Sequence, residues 1–282
     1  MAADYLFTPV TTEENKLIEY VDLLNEVFNS KDHFSLEYLK WLYHENYFGK
    51  AVGYDAYYES KLIGHYVAVP VEYIFKGQVL KGLLSLNTAT NKNHQGKGLF
   101  TKLATKTYDL AQELGYDFVI GVANQNSTHG FIKKLGFKLV GPLDAKLILG
   151  DFKVDSARSK DKFRANWTKE SLNWRLCKPG SDYFLNKKSN IYSATDISFI
   201  SASLLPNQVL NSTVCHDNRR KAMIKLYLGY GMEFTNRGVS LSIPRKLRPS
   251  PLNLIYKRLK SSLNDVELIN NMVFNCIDFD AY

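Results

Sequence analysis

The sequence predicts an α/β protein of two lobes, the first built on a mixed, mostly antiparallel sheet flanked by helices. Three observations predict it. A helical apolar period over Glu14 to Leu24 gives way to paired strand-like runs between Ala56 and Leu86. From Leu83 onward the chain then reads strand, helix, strand, helix, strand. Finally, a polar stretch without clear period, Asp151 to Lys162, separates a second α/β segment from the first. The expected division is a lobe over 1–150, a linker over 151–166 and a C-terminal α/β lobe over 167–282, which suits a length beyond the usual single domain.

Each element has its own signal. After the first helix, Ser35 is a natural N-cap for a helix over Leu36 to His44. Leu62 to Pro70 pairs with Ala56-Tyr57-Tyr58 across Glu59-Ser60-Lys61, and Val71 to Phe75 pairs with Gln78 to Leu86 across Lys76-Gly77. A helix from Leu99 to Leu114 stops at Gly115, and Phe118 to Ala123 is apolar enough for a strand buried on both faces. Ser127 to Leu135 reads as a short helix closed by Gly136, with a strand over Phe137 to Val140. In the second lobe, Tyr192 to Ser203 reads as strand, Asp217 to Leu228 as a basic helix, and Val239 to Ile243 as a strand. Thr168-Lys169-Glu170-Ser171-Leu172-Asn173-Trp174 repeats the pattern of Ser35-Leu36-Glu37-Tyr38-Leu39-Lys40-Trp41. This is either a degenerate internal repeat or a coincidence of two amphipathic helix starts.

Composition bounds the class. Hydrophobic residues at 45%, charged residues at 23%, and 18 Tyr with 16 Phe describe a folded chain and argue against disorder. Met1 to Tyr5 has neither the basic nor the apolar region of a leader, and no apolar run approaches the roughly 20 residues of a membrane span. Cys177, Cys215 and Cys276 are odd in number, far apart and without CxxC spacing, so reduced thiols, no metal site and a cytoplasmic setting are expected. The net charge of +8 favours an anionic partner. Nucleic acid, a membrane surface and a phosphorylated small molecule all fit that charge, the scattered lysines equally fit a generally basic surface, and no aromatic-basic interleaving marks a nucleic-acid module.

The chemistry is concentrated in Ser85 to Leu103. A strand runs into Gln95-Gly96-Lys97-Gly98-Leu99-Phe100, where glycines permit close backbone approach and the next helix begins. A helix N-terminus with unpaired N–H groups, reinforced by Lys97, suits phosphate. Gly96-x-Gly98 is followed by Phe100 and Lys102, so the loop is neither a P-loop nor a dinucleotide fingerprint.

The segment instead resembles the GNAT acetyltransferase signature [Gln/Arg]-x-x-Gly-x-[Gly/Ala], with Gln95 first, Gly98 as the glycine and Phe100 in place of the usual small residue. Asn124-Gln125-Asn126 followed by a short helix and Gly136-Phe137 is similar to the second GNAT signature, at the matching interval. The resemblance covers 1–150 and implies a GNAT fold. It implies that Gln95, Gly96, Lys97, Gly98, Leu99, Phe100, Thr101 and Asn126 hold the pyrophosphate of acetyl-CoA or another acyl-CoA, while Thr88, Ala89 and Thr90 align the pantetheine arm. It also implies direct attack of a primary amine on the thioester.

Proton removal then falls to Glu72 or His65 on the strands walling the substrate side, with His129 a further candidate. The position where many relatives carry a thiol-protonating Tyr is Ile132. Some longer bacterial relatives with a C-terminal extension occur with surface-polysaccharide genes, which implies a nucleotide-linked amino sugar as acceptor; a homodimer is compatible with all of this. An acyl-CoA-binding regulator without turnover is the alternative.

Overall fold

Helix starts and stops follow local chemistry. In the computed structural model, which describes residues 4–30, 33–149, 152–154, 161–181, 183–188, 191–196, 201–206, 224–232, 234–236, 239–248, 250 and 252–279, strand β1 (Leu6–Pro9) precedes helix α1 (Glu14–Phe28). Leu17, Tyr20 and Leu24 line the buried stripe of α1, and Asn29 ends it in the left-handed region. Ser35 accepts the Tyr38 N–H at 3.1 Å to start α2 (Leu36–Leu39), which runs into a π-turn over Lys40–His44.

Strands β2 (Val52–Tyr58), β3 (Lys61–Phe75) and β4 (Gln78–Thr90) form an antiparallel meander. Helix α3 (Leu99–Glu113), strand β5 (Phe118–Ala123), helix α4 (Gln125–Leu135) and strands β6 (Lys138–Pro142) and β7 (Asp144–Leu149) follow. Beyond them come β8 (Phe152–Val154), β9 (Arg164–Ala165), α5 (Lys169–Leu176), β10 (Tyr183–Lys188), β11 (Ile191–Asp196), β12 (Ser201–Pro206) and β13 (Ile224–Tyr230). The chain continues with β14 (Phe234–Asn236), β15 (Val239–Ser242), β16 (Asn253–Arg258), α6 (Asp265–Asn270) and β17 (Phe274–Asn275).

Two sheets result, and they exchange strands. The first has the order β1-β2-β3-β4-β5-β16-β6, with β9 paired to β3; the second has the order β10-β11-β12-β13-β7-β15, with β17 paired to β13. Strand β16, from the C-terminal half, lies between β5 and β6 and pairs antiparallel with both. In return, β7, from the N-terminal half, lies between β13 and β15. Each sheet contains one parallel junction, β4 with β5 and β12 with β13, and each junction is followed by the exchanged strand. Stacking of α1 and α2 on one face of the first sheet and α3 and α4 on the other gives two apolar layers, so β5 and the Leu254-Ile255-Tyr256 run of β16 are buried.

The stretch 151–166, read as a linker, carries the short strands β8 and β9 and buries Phe163 against Tyr73, Phe118 and Tyr256. The basic helix expected over Asp217 to Leu228 is corrected in its second half. Residues 217–223 lie outside the described residues, and from Ile224 onward the chain is strand β13. The alternation Leu226, Tyr227, Leu228 has the period of a strand, and pairing to β7 on one side and β12 on the other satisfies its backbone. Among the described residues no helix is long and apolar enough to cross a membrane.

Candidate active site

The site forms where β4 leaves β5. Parallel pairing runs from Gly82 opposite Phe118 to Ser85 opposite Gly121 and stops there, although β4 continues to Thr90 and β5 to Ala123. The cause is a bulge in β4. The β3–β4 register shifts between His65, opposite Ala89, and Val67, opposite Leu86, and Asn87 sits in the left-handed region at φ +46°. Asn tolerates that conformation better than most non-glycine residues, and the extra residue bends the strand away from its neighbour. The resulting gap exposes backbone of Leu86 to Thr90 that the ladder would otherwise use.

On the α3–α4 side of this gap lies the glycine loop. The Gln95 amide nitrogen bonds the carbonyl of Thr90 at 3.1 Å, tying the loop to the strand end. Gly96 and Gly98 have φ +75° and +76° with open space where a Cβ would stand, so glycine is required there by backbone conformation rather than by crowding. Gly98 is the N-cap of α3 and supplies no side-chain cap, leaving the first N–H groups of the helix directed outward. Lys97 is exposed beside them. Asn124 caps α4 by accepting the N–H groups of Asn126 and Ser127 at 3.0 and 2.9 Å, which sets Asn126 in the first turn of that helix.

Phe100 does not approach the loop. Its ring turns inward to pack on Phe131 and Tyr66, and Gly130 makes room, since a Cβ there would stand 3.2 Å from the ring. Thr88, Ala89 and Thr90 lie on the splayed part of β4, with Ala89 buried, and Leu99 and Thr101 lie in the first turn of α3, with Leu99 buried.

On the opposite face, towards α1 and α2, a cleft of about 430 Å³ opens over the splay. Leu84, Ser85, Leu86 and Asn87 of β4 and Val122 of β5 form its floor, Phe28, Ser30, His33 and Phe34 one wall, and Phe279 reaches it from the C-terminal end of the described chain. Phe279 is held there because β17 pairs with β13 and the following turn is anchored by Arg175 Nε donating to the Ile277 carbonyl at 2.7 Å.

The proposed proton acceptors are not brought together. His65 is fully buried beneath the floor, with Nδ1 2.7 Å from Asp55 Oδ1, Nε2 3.4 Å from the Tyr43 hydroxyl, and the Tyr20 ring stacked on it. Glu72 lies seven residues further along β3, roughly 23 Å away at strand rise. It borders a separate small cavity with Tyr73, Trp167 and Asp278 and accepts from the Asn166 side chain at 3.3 Å. His129 is exposed on α4, and Ile132 is half-buried on the same helix.

Sequence reasoning missed Tyr43, Asp55 and Tyr20, which complete the surroundings of His65. One signal was present: Asp55 stands within the apolar and aromatic run of β2, a place for a carboxylate only when a partner is buried with it. Phe28, His33, Phe34 and Phe279 carried no local signal, because the α1–α2 connection and the far end of the chain meet only in the fold.

The acetyltransferase (GNAT) domain family matches residues 9–140, which contain the bulged strand, the glycine loop and the Asn124 cap. Over residues 9–140 the chain matches the GNAT superfamily. The first sheet, mixed, mostly antiparallel and flanked by helices, has the GNAT fold with β16 supplied from the C-terminal half, and a second sheet region lies in the C-terminal part with β7 inserted into it. No curated protein matches the chain.

Among solved structures, the chain resembles a conserved Enterococcus faecalis V583 protein of unknown function described as a probable N-acyltransferase, with TM-score 0.60, 11% identity, and 91% of this chain and 73% of that chain covered. It also resembles a GCN5-related N-acetyltransferase from Kribbella flavida, with TM-score 0.58, 10% identity and coverage of 90% and 71%. A third likeness is to a GCN5-related N-acetyltransferase from Anabaena variabilis, with TM-score 0.50, 11% identity and coverage of 90% and 73%. These likenesses concern the fold and extend across both sheets. The GNAT family uses acetyl-CoA.

Proposed function

We propose that this chain transfers a short acyl group, acetyl by default, from acyl-CoA to a primary amine of a small molecule. The observation that carries the reading is the β4–β5 splay at Asn87, with an uncapped helix N-terminus on one face of the sheet and a cleft on the other. The residues present suit the donor substrate. Outward N–H groups of α3 and Lys97 favour a pyrophosphate, and exposed strand backbone between Leu86 and Thr90 offers partners to an amide-bearing arm.

Chemically, the amine lone pair forms the new N–C bond, the C–S bond breaks, one proton leaves the nitrogen and one reaches the thiolate sulfur. A backbone N–H in the Asn87 to Thr90 segment polarises the thioester carbonyl. His33, on the cleft wall, is the titratable side chain among the described lining residues and is the better-placed proton acceptor; buried His65 and distant Glu72 have no direct access to the cleft. A nucleotide-linked amino sugar is one acceptor to include, on the strength of the family resemblance alone.

The test is thermal stabilisation by acetyl-CoA followed by thiol release across a panel of amines, each repeated with Gly98→Trp. Stabilisation and amine-dependent release, both abolished by the substitution, support the reading. Binding without release on any amine favours the regulatory alternative, to which Ile132 in place of the expected acid lends weight, and absence of stabilisation by any acyl-CoA refutes both.

A further inference from the structure

We propose that the side-chain oxygen of Asn87 receives the acceptor amine, and that Asp55, His65 and Tyr43 are positioning residues that lock this amide with its oxygen towards the cleft. The inference rests on the acyltransferase reading above and names the acceptor contact within that site.

The lock follows from counting protons along one buried chain. The Tyr20 hydroxyl accepts the Thr11 N–H at 3.3 Å and donates to Asp55 Oδ2 at 2.7 Å. Asp55 Oδ1 lies 2.7 Å from His65 Nδ1, and an ionised carboxylate only accepts, so Nδ1 carries the proton. In the neutral ring Nε2 is then an acceptor, and the group facing it is the Tyr43 hydroxyl at 3.4 Å. Burial keeps that hydroxyl protonated by raising its pKa. With its single proton directed at His65, the Tyr43 oxygen must accept, and it does so from the Asn87 side-chain nitrogen at 3.0 Å.

The amide NH₂ is therefore turned inward. Asn87 is half-buried and belongs to the cleft floor, so its oxygen is left for the cleft. Tyr43, Asp55 and His65 are at most 1% exposed, so water does not compete for these bonds. An attacking amine must present N–H groups, and an amide oxygen at the splay accepts one of them without removing the proton.

The groups that face the imidazole are Tyr20 from α1, Tyr43 from the π-turn, Asp55 from β2, and, through Tyr43, Asn87 from β4.

The experiment uses full-length protein with ¹⁵N-labelled His and Asn, loaded with CoA and titrated in turn with tyramine, ethanolamine and glucosamine. Neutral His65 protonated on Nδ1, with an Asn87 amide resonance that responds to at least one amine and shifts in Tyr43→Phe, is the expected result. In parallel, Tyr43→Phe and Asn87→Gly, the latter suited to the left-handed backbone, raise the KM of the fastest amine about tenfold, the effect of one lost hydrogen bond. Tyr43→Phe, outside the donor site, leaves the acetyl-CoA Kd within about twofold. A proton on Nε2, or an Asn87 amide indifferent to all three amines, overturns the proposal. Neither result touches acetyl-CoA binding, on which the acyltransferase reading stands separately.

Discussion

The Trp41 indole N–H donates to the backbone carbonyl of Trp174 at 2.9 Å, and the Trp174 indole N–H donates to the carbonyl of Trp41 at 3.2 Å. The rings stack at 4.9 Å between them. This reciprocity is the mark of a two-fold relationship, here within one chain. The two tryptophans end the two copies of the [Ser/Thr]-x-Glu-x-Leu-x-Trp pattern, and both copies start with a hydroxyl N-cap bonding the N–H three residues on. The contact accompanies matched strand orders and the mutual exchange of β16 and β7. Trp41→Phe and Trp174→Phe should each cost about 1–2 kcal/mol in urea unfolding, because each removes one of the two indole hydrogen bonds and trims the ring stack. Their coupling through the stack should exceed about 0.5 kcal/mol in a double-mutant cycle, and simple additivity would count against the paired arrangement.

Strand exchange makes the N-terminal segment incomplete by itself. Residues 1–150 lack β16, whose absence bares the long edge of β5 and deprives β6 of its pairing partner. The buried stack of Tyr256 on Phe118 would go with it. Expressed alone, 1–150 should aggregate or remain unfolded by circular dichroism, and addition of 151–282 should restore soluble protein. A cooperative unfolding transition in isolated 1–150 would show that the exchanged strand is dispensable.

Much of the first sheet was legible in the sequence because its signals are local. Glu59-Ser60 and Lys76 adopt positive φ at the two expected turns, Gly136 closes α4 in the left-handed region, and the apolar Phe118 to Ala123 run is buried. The glycine loop was legible for the same reason. Long-range order was not. Nothing in Leu254-Ile255-Tyr256 says that it pairs with β5 rather than with its own half, and nothing near Phe279 says that it reaches the α1–α2 cleft. His65 was singled out by residue type, but only the fold shows that Asp55 and Tyr43 enclose it.

Asp278 gives the protein a component of stability that weakens as pH rises. Burial pushes its carboxyl up to about 6, against the hydrogen bonds from Asn275 N–H and the Trp167 indole. A folded-state pKa above the unfolded value means that the native protein binds the extra proton. Stability from this group is therefore full below about 4 and is lost as pH rises towards and past 6. Compared with Asp278→Asn, the native protein should lose up to about 3 kcal/mol of relative stability between pH 4 and 7, read from urea midpoints. A difference that grows in the opposite direction would assign the carboxyl a depressed pKa instead.

The glycine loop allows conformation to be separated from stability. Gly98 and Gly77 have nearly the same φ, +76° and +79°, and neither has an atom within 4 Å of where a Cβ would stand. Gly98 caps α3 at the proposed phosphate site, whereas Gly77 sits in the β3–β4 turn at the other end of the strand. Valine at either position forces a β-branched residue into the left-handed region, at a cost of about 1–2 kcal/mol or a local rearrangement. Gly77→Val should lower the melting temperature and leave acetyl-CoA affinity unchanged. Gly98→Val should lower it similarly but also weaken acetyl-CoA at least about tenfold by calorimetry, since the rearranged backbone turns the helix N–H groups away. Equal acetyl-CoA affinity in the two variants would remove the loop from the donor site.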